Sequence, residues 1–279
     1  MYYIVHWGGV ITGLTRLQKN KRIIFTEGDD DIAYLKAMNE AFKRVNSPLA
    51  IDFSKISFWY IRGKDNMNLK IMANKQLLSQ AVQGCKYAVI FDKDYSTEAA
   101  NTKFINSDIL RRLGNSSWAH THNGYCIESV LFSEMDKLKK FLNKITGKDE
   151  ETINTFLDEY FYELKQSLSN VQSNIYFNMK EKFKSQKKPT RPELDNVEFD
   201  IYAGEAAQNI HYAMNKDNIR AFVLKIEEEW GITLFQREDD ASETFASGLL
   251  NKYIDSIEAA DDIYNDYVIL FQKIRDFII

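Results

Sequence analysis

Two short stretches end apolar runs in carboxylates: Ile23-Ile-Phe-Thr-Glu-Gly-Asp-Asp-Asp31 and Val89-Ile-Phe-Asp-Lys-Asp94. A buried parallel strand has this form when its carboxyl end opens onto a site. In open α/β sheets the crevice at the strand carboxyl ends is where ligands bind, so Glu27 and Asp31 are expected to meet Asp92 and Asp94 there. Gathered in one crevice, these acids repel: each pair ~5 Å apart costs about 3 kcal/mol at an effective dielectric of roughly 20. A cation relieves that repulsion, and oxygen donors without nearby sulfur favour Mg2+ or Mn2+.

The order of these motifs carries a resemblance. An apolar strand, Glu27-Gly-x-x-Asp31, a helix, and about 60 residues later a second apolar strand ending in Asp92-x-Asp94 resemble a TOPRIM domain over Arg22 to Asp136. Tyr125-Cys-Ile-Glu-Ser-Val-Leu131 is similar to the Ile-Glu-Asn-Tyr-Leu segment of OLD-type nucleases, with Ser129 and Val130 in place of Asn and Tyr. The resemblance implies metal ligands at Glu27, Asp31, Asp92, Asp94 and Glu128, with Glu27, Asp92, Asp94 and Lys64 as catalytic residues. It implies metal-assisted phosphodiester hydrolysis, in which one ion activates water and a second stabilises the leaving oxygen. Lys64, Lys93 and Arg62 are the candidates to neutralise the scissile phosphate.

The elements that must position these residues read as alternating strands and helices. Strands are expected at Arg22–Thr26, Ile56–Ile61, Lys86–Phe91 and Ser117–Thr121. After the first strand, Asp29 or Asp30 is placed to cap a helix whose apolar positions are Ile32, Leu35, Met38 and Phe42. Gly114 ends a later helix, and Ser133-x-x-Asp136 reads as the cap of another. The expected fold is α/β, a TOPRIM-type mostly parallel sheet flanked by helices, over residues 1–147 with an N-terminal extension. A helical region, 148–279, follows the glycine and four charged residues at Gly147 to Glu151.

In that second region the spacing from Thr152 to Phe183 predicts one long amphipathic helix. Lys180 to Pro192 carries six basic residues against one acid, Glu181. It reads as a solvated linker or as a contact for nucleic acid. Asp217 is placed to cap a helix with Ile219, Phe222, Val223, Ile226 and Trp230 on one face. That face, up to Trp230, and a second at Ile263 to Ile274 are candidate docking surfaces.

Composition sets the outer limits. The 279 residues are 44% hydrophobic and 27% charged with a formal charge of −4, so a sizeable core is expected and no global basic field draws nucleic acid. Two cysteines exclude a disulfide framework, and no apolar run has the length of a membrane span. A cytoplasmic protein without membrane contact is expected.

Within TOPRIM proteins, a small chain with a helical tail resembles the effector subunit of PARIS-type phage-defence pairs. This implies a toxic nuclease that cleaves tRNA, controlled by an ABC-like ATPase in trans, since the chain has no Gly-x-x-x-x-Gly-Lys-Ser/Thr loop of its own. A homodimer stays open. The alternatives are an OLD-like DNA nuclease, a haloacid-dehalogenase-like phosphatase with Asp92 as nucleophile, and a catalytically silent binding scaffold. A nucleotide-sugar transferase using Asp92-x-Asp94 leaves Glu27 without a role. His120, His122 and Cys126 suggest zinc at first sight, but no fourth ligand has suitable spacing, and orienting histidines are the preferred reading.

Overall fold

The computed structural model describes residues 21–61, 70–76, 83–114, 117–186, 192–237 and 239–279. The chain divides into two compact units. The first comprises residues up to Phe91, then Asn101–Thr121 and Tyr267–Ile279; the second comprises Asp92–Ala100 and His122–Asp266.

The first unit is built on a four-stranded parallel sheet of order β2-β1-β3-β4. Its strands are β1 (Arg22–Thr26), β2 (Ser57–Tyr60), β3 (Lys86–Phe91) and β4 (Trp118–Thr121). β1 pairs with both β2 and β3, with Ile23 opposite Ser57 on one side and Tyr87 on the other. The central strands are apolar on both faces because both are covered. Ile23, Phe25, Tyr87, Val89 and Phe91 form one buried cluster with Ile61, Ile71, Ile109 and Leu113. The alternate residues Ile24, Ala88 and Ile90 are equally buried on the opposite face. Each large apolar side chain so buried contributes about 1.5–3 kcal/mol.

Helix α1 (Asp29–Arg44) follows β1 and buries Leu35, Met38, Ala41 and Phe42. Residues 70–76 are helical, and a helical run, α2, from Glu98 to Leu113 passes through a π-helical stretch, Phe104–Leu110, before Gly114 ends it at φ 104°. Residues 267–279 also belong to this unit: Phe271 lies 4.5 Å from the Phe42 ring, and Arg22 Nε donates to the Phe277 carbonyl at 2.6 Å. The strand order places a reversal between β1 and β3, since the chain leaves β1 towards β2 and leaves β3 towards β4 on the other side. In open α/β sheets ligands bind at the strand carboxyl ends beside such a reversal. Glu27 is the residue after β1 and Asp92 the residue after β3.

The second unit is helical. Its helices are α3 (Met135–Thr146), α4 (Glu150–Ser169), α5 (Asn174–Gln186), α6 (Pro192–Gln208), α7 (Lys216–Trp230) and α8 (Ser242–Ser256). Phe222 of α7 is at its centre, with ring centroids of Phe132, Phe156 and Tyr160 5.1, 5.7 and 5.1 Å away.

Several expectations are corrected here. The long helix expected from Thr152 to Phe183 is broken, because Asn170 Oδ1 accepts from the Gln172 amide and Ser173 Oγ from the Tyr176 amide, each at 3.0 Å. These local bonds compete with the helix ladder and start α5 afresh. Ser133 does not cap α3; its hydroxyl donates to the Val130 carbonyl, and the helix starts after Glu134. Asn215, not Asp217, caps α7, accepting from the Asn218 amide at 2.9 Å. Gly147 and Asp149 form a helix-to-helix turn inside the second unit, as the left-handed C-cap of α3 and the N-cap of α4. The proposed docking faces are consumed by packing: Ile219, Phe222, Val223, Ile226, Ile263, Leu270 and Ile274 are all buried. No described helix is long and apolar enough to cross a membrane.

Candidate metal centre

In the first unit, the turn after β1 is tied by its own side chains. Thr26 Oγ1 donates to the Gly28 carbonyl, and the Gly28 amide donates to Asp31 Oδ2, both at 2.8 Å. Gly28 is therefore the N-cap residue of α1 and Asp31 closes the cap from the first turn, where the helix dipole favours its charge. Asp29 and Asp30 are exposed, and Glu27 is half-buried. Arg62 and Lys64 lie outside the described residues.

In the second unit, three segments converge. The loop after β3 carries Asp92, Lys93 and Asp94; the turn at Gly124–Ser129 carries Cys126 and Glu128; and the start of α7 carries Asn215 and Lys216. Two backbone bonds fasten the first to the second: the Ile127 amide donates to Asp92 Oδ1 at 3.1 Å and the Asp94 amide to the Tyr125 carbonyl at 2.8 Å. Asp94 has φ 53°, a left-handed conformation that aspartate tolerates better than most residues. A non-glycine residue held there stores about 1–3 kcal/mol, a strain that clusters at functional sites.

The Gly124–Ser129 turn is tight for a clear reason. Ser129, fully buried, donates its hydroxyl to the Cys126 carbonyl at 2.6 Å and accepts from the Cys126 amide at 2.9 Å. A Cβ at residue 124 would fall 2.3 Å from that hydroxyl oxygen, so only glycine fits. The turn presents Glu128, which is 3% exposed and whose Oε2 has no hydrogen-bond partner among the described residues. A buried carboxylate oxygen without a donor is costly, and a cation is one way to offset that cost.

Lys216 was not legible as a site residue. Burial opposes its charge, yet the carboxylates of Glu128 and Asp92 outweigh that effect and raise its pKa. The Cys126 thiol is pushed well up by burial and by Glu128 and Asp92, which keeps it protonated and inert.

Lys93 is placed differently from expectation. It is 2% exposed, pairs with Glu98 at 2.8 Å and lies 3.3 Å above the Tyr212 ring, so it pins the loop. Tyr95, beside it, is packed edge-on against Tyr125 and Tyr202 and accepts from Asn215 Nδ2 at 3.2 Å. Burial carries its pKa to about 12.

His122 Nδ1 is 2.9 Å from Asp266 Oδ2, both groups buried, and the Asn123 amide donates to Asp266 Oδ1 at 3.1 Å. His120 is buried within β4, opposite Ile90 of β3. The basic segment is partly neutralised on the chain: Lys182 pairs with Asp217, Lys184 with Glu181 at 2.8 Å, and Lys180 lies 3.9 Å from Asp200. Compared with protein-family models, curated proteins and solved structures, the chain matches none of them.

Proposed function

We propose that the chain is a metal-dependent endonuclease of TOPRIM type, the toxic effector of an antiphage system, that cleaves tRNA and is controlled by an ATPase in trans. The observation that carries the reading is the convergence of Asp92, Glu128 and Lys216, with a buried carboxylate oxygen of Glu128 that has no donor among the described residues. Glu27 and Asp31, acids of the first unit, are proposed as metal ligands on the Glu-Gly-x-x-Asp motif alone. The choice of tRNA and the partner ATPase rest on the sequence resemblance.

The donor set is all oxygen and suits Mg2+ or Mn2+. A divalent ion, when bound, supplies Lewis-acid polarisation of a phosphoryl oxygen and a water of lowered pKa. Asp92 and Glu128 would hold it, and the backbone bond from Ile127 fixes the Asp92 carboxylate in place. Lys216 offers positive charge to the phosphate, a role in which Lys93 is replaced because it is enclosed by Glu98 and Tyr212.

The test is cleavage of tRNA and plasmid DNA by the purified chain with Mg2+ or Mn2+, alone and with its partner. Cuts concentrated in tRNA and abolished in Asp92→Asn support the reading; DNA cleavage instead selects an OLD-like nuclease. Phosphate release from small substrates without cleavage of either nucleic acid selects the phosphatase. No metal-dependent activity of any kind leaves the binding scaffold.

A further inference from the structure

Helix α6 of the second unit has two dissimilar sides. Inward, Phe199, Tyr202, Ala203 and Ala206 are buried, with Phe199 5.1 Å from the Tyr176 ring and 5.4 Å from the Phe183 ring. Outward, Val197 and Ile201 are 57% and 54% exposed one helical turn apart, and Gly204 continues the same stripe. Isolated exposed hydrophobics are ordinary; an aligned pair beside a glycine is less so.

Among the described residues nothing requires glycine at position 204. Its φ is not positive, and a Cβ there meets nothing within 4 Å. Glycine in the interior of an exposed helix is destabilising relative to alanine, and no contact among the described residues recovers that cost. A missing side chain in an apolar stripe allows another backbone or a bulky side chain to come close.

Charge decides which occupant fits. The sequence of α6 contains Glu193, Asp195, Glu198, Asp200 and Glu205 and no basic residue. Helical spacing puts Asp200 along one edge of the stripe and Glu198 and Glu205 along the other. Asp200 is held by the Tyr176 hydroxyl and faces Lys180 at 3.9 Å; Glu205 is held by the Glu98 amide at 2.9 Å. Two copies of α6 brought together would set acid against acid.

We infer that the Val197–Ile201–Gly204 face of α6 is a docking site for a helix of a different protein, apolar along one stripe with Lys or Arg on the edge that faces Glu198 and Glu205. A large side chain of that helix sits over Gly204, and its cations meet Glu198 and Glu205. The inference is independent of the nuclease reading.

The experiment uses the full chain and a synthetic 20-residue amphipathic helix with a Leu stripe flanked by Lys, followed by fluorescence anisotropy against a twin with Glu in place of Lys. Binding of the Lys peptide at least tenfold tighter than its twin, lost at least tenfold in Ile201→Lys and in Gly204→Leu, is the expected result. Gly204→Ala provides the folding control, since it raises the melting temperature of the free chain. Equal binding of both peptides, no binding of the Lys peptide, or undiminished binding to Ile201→Lys overturns the inference. So does concentration-dependent dimerisation of the chain that Ile201→Lys abolishes, which makes a second copy the occupant.

Discussion

Replacing Gly124 by alanine tests whether the turn that presents Glu128 is as constrained as its geometry indicates. The added Cβ would lie 2.3 Å from Ser129 Oγ and 3.2 Å from two further Ser129 atoms. The hydroxyl cannot swing aside cheaply, because it bridges both the amide and the carbonyl of Cys126 in a fully buried setting. Overpacking costs about 1–3 kcal/mol, and weakening a buried hydrogen bond adds about 1 kcal/mol, so Gly124→Ala is expected to destabilise by roughly 2–4 kcal/mol. Ser129→Ala alone leaves the buried Cys126 amide unsatisfied, at about 1–3 kcal/mol. The double variant removes the oxygen that the methyl strikes, leaving only the 3.2 Å approaches, which need a shift of a few tenths of an ångström. Urea unfolding of the four proteins in a double-mutant cycle is therefore expected to show the two changes sub-additive by about 1–2 kcal/mol. Strict additivity, or a Gly124→Ala cost below about 0.5 kcal/mol, would refute the argument that glycine is required there.

Other consequences follow from the same packing. Burial opposes the charge of Asp262, yet Lys140, Lys144 and the amides of Glu258 and Ala259 outweigh it and hold the pKa below the usual carboxylate range. Its contribution is thus present above the unfolded value near 4 and is lost as pH falls below it. Asp262→Ala is expected to cost about 2–4 kcal/mol at pH 7 and clearly less at pH 3, as measured by urea midpoints. Lys93→Met is expected to lower stability by about 1–2 kcal/mol while leaving Mn2+ affinity within twofold, because this lysine pins a loop; tenfold weaker metal binding in a folded variant would contradict that. Lys216→Met is expected to reduce cleavage about 10²–10³-fold with the fold intact, and an unchanged rate would remove it from the proposed phosphate contact.

Much of the sheet was legible because its residues leave little choice. Ile23, Ile24 and Phe25 are apolar on both faces, as are the residues of β3, and the acids that close these strands mark their carboxyl ends. The break between α4 and α5 was not legible, because apolar spacing runs through it. Val171 continues the pattern but is exposed, and the side chains of Asn170 and Ser173 decide the local conformation. Lys216 was hidden for a different reason: it lies 88 residues beyond Glu128 in the sequence, and nothing in its surroundings marks it until the chain is folded. Lys93 shows the converse case. Placed between two motif acids it reads as a phosphate contact, whereas Glu98 and Tyr212 enclose it. The return of residues 267–279 to the sheet unit was also invisible, since the pattern of the last helix is that of any helix with one apolar face.

The central claim is that Asp92 and Glu128 hold a divalent ion, and the most direct measurement is Mn2+ binding to the purified full-length chain, followed by electron paramagnetic resonance. Saturable binding is expected in the wild type, reduced at least tenfold in Asp92→Asn and in Glu128→Gln while both variants keep the wild-type circular dichroism spectrum. Lys216→Met is expected to bind Mn2+ at least as tightly as the wild type, because removing a neighbouring positive charge favours a cation. Wild-type affinity in a folded Asp92→Asn, Glu128→Gln double variant would contradict the account.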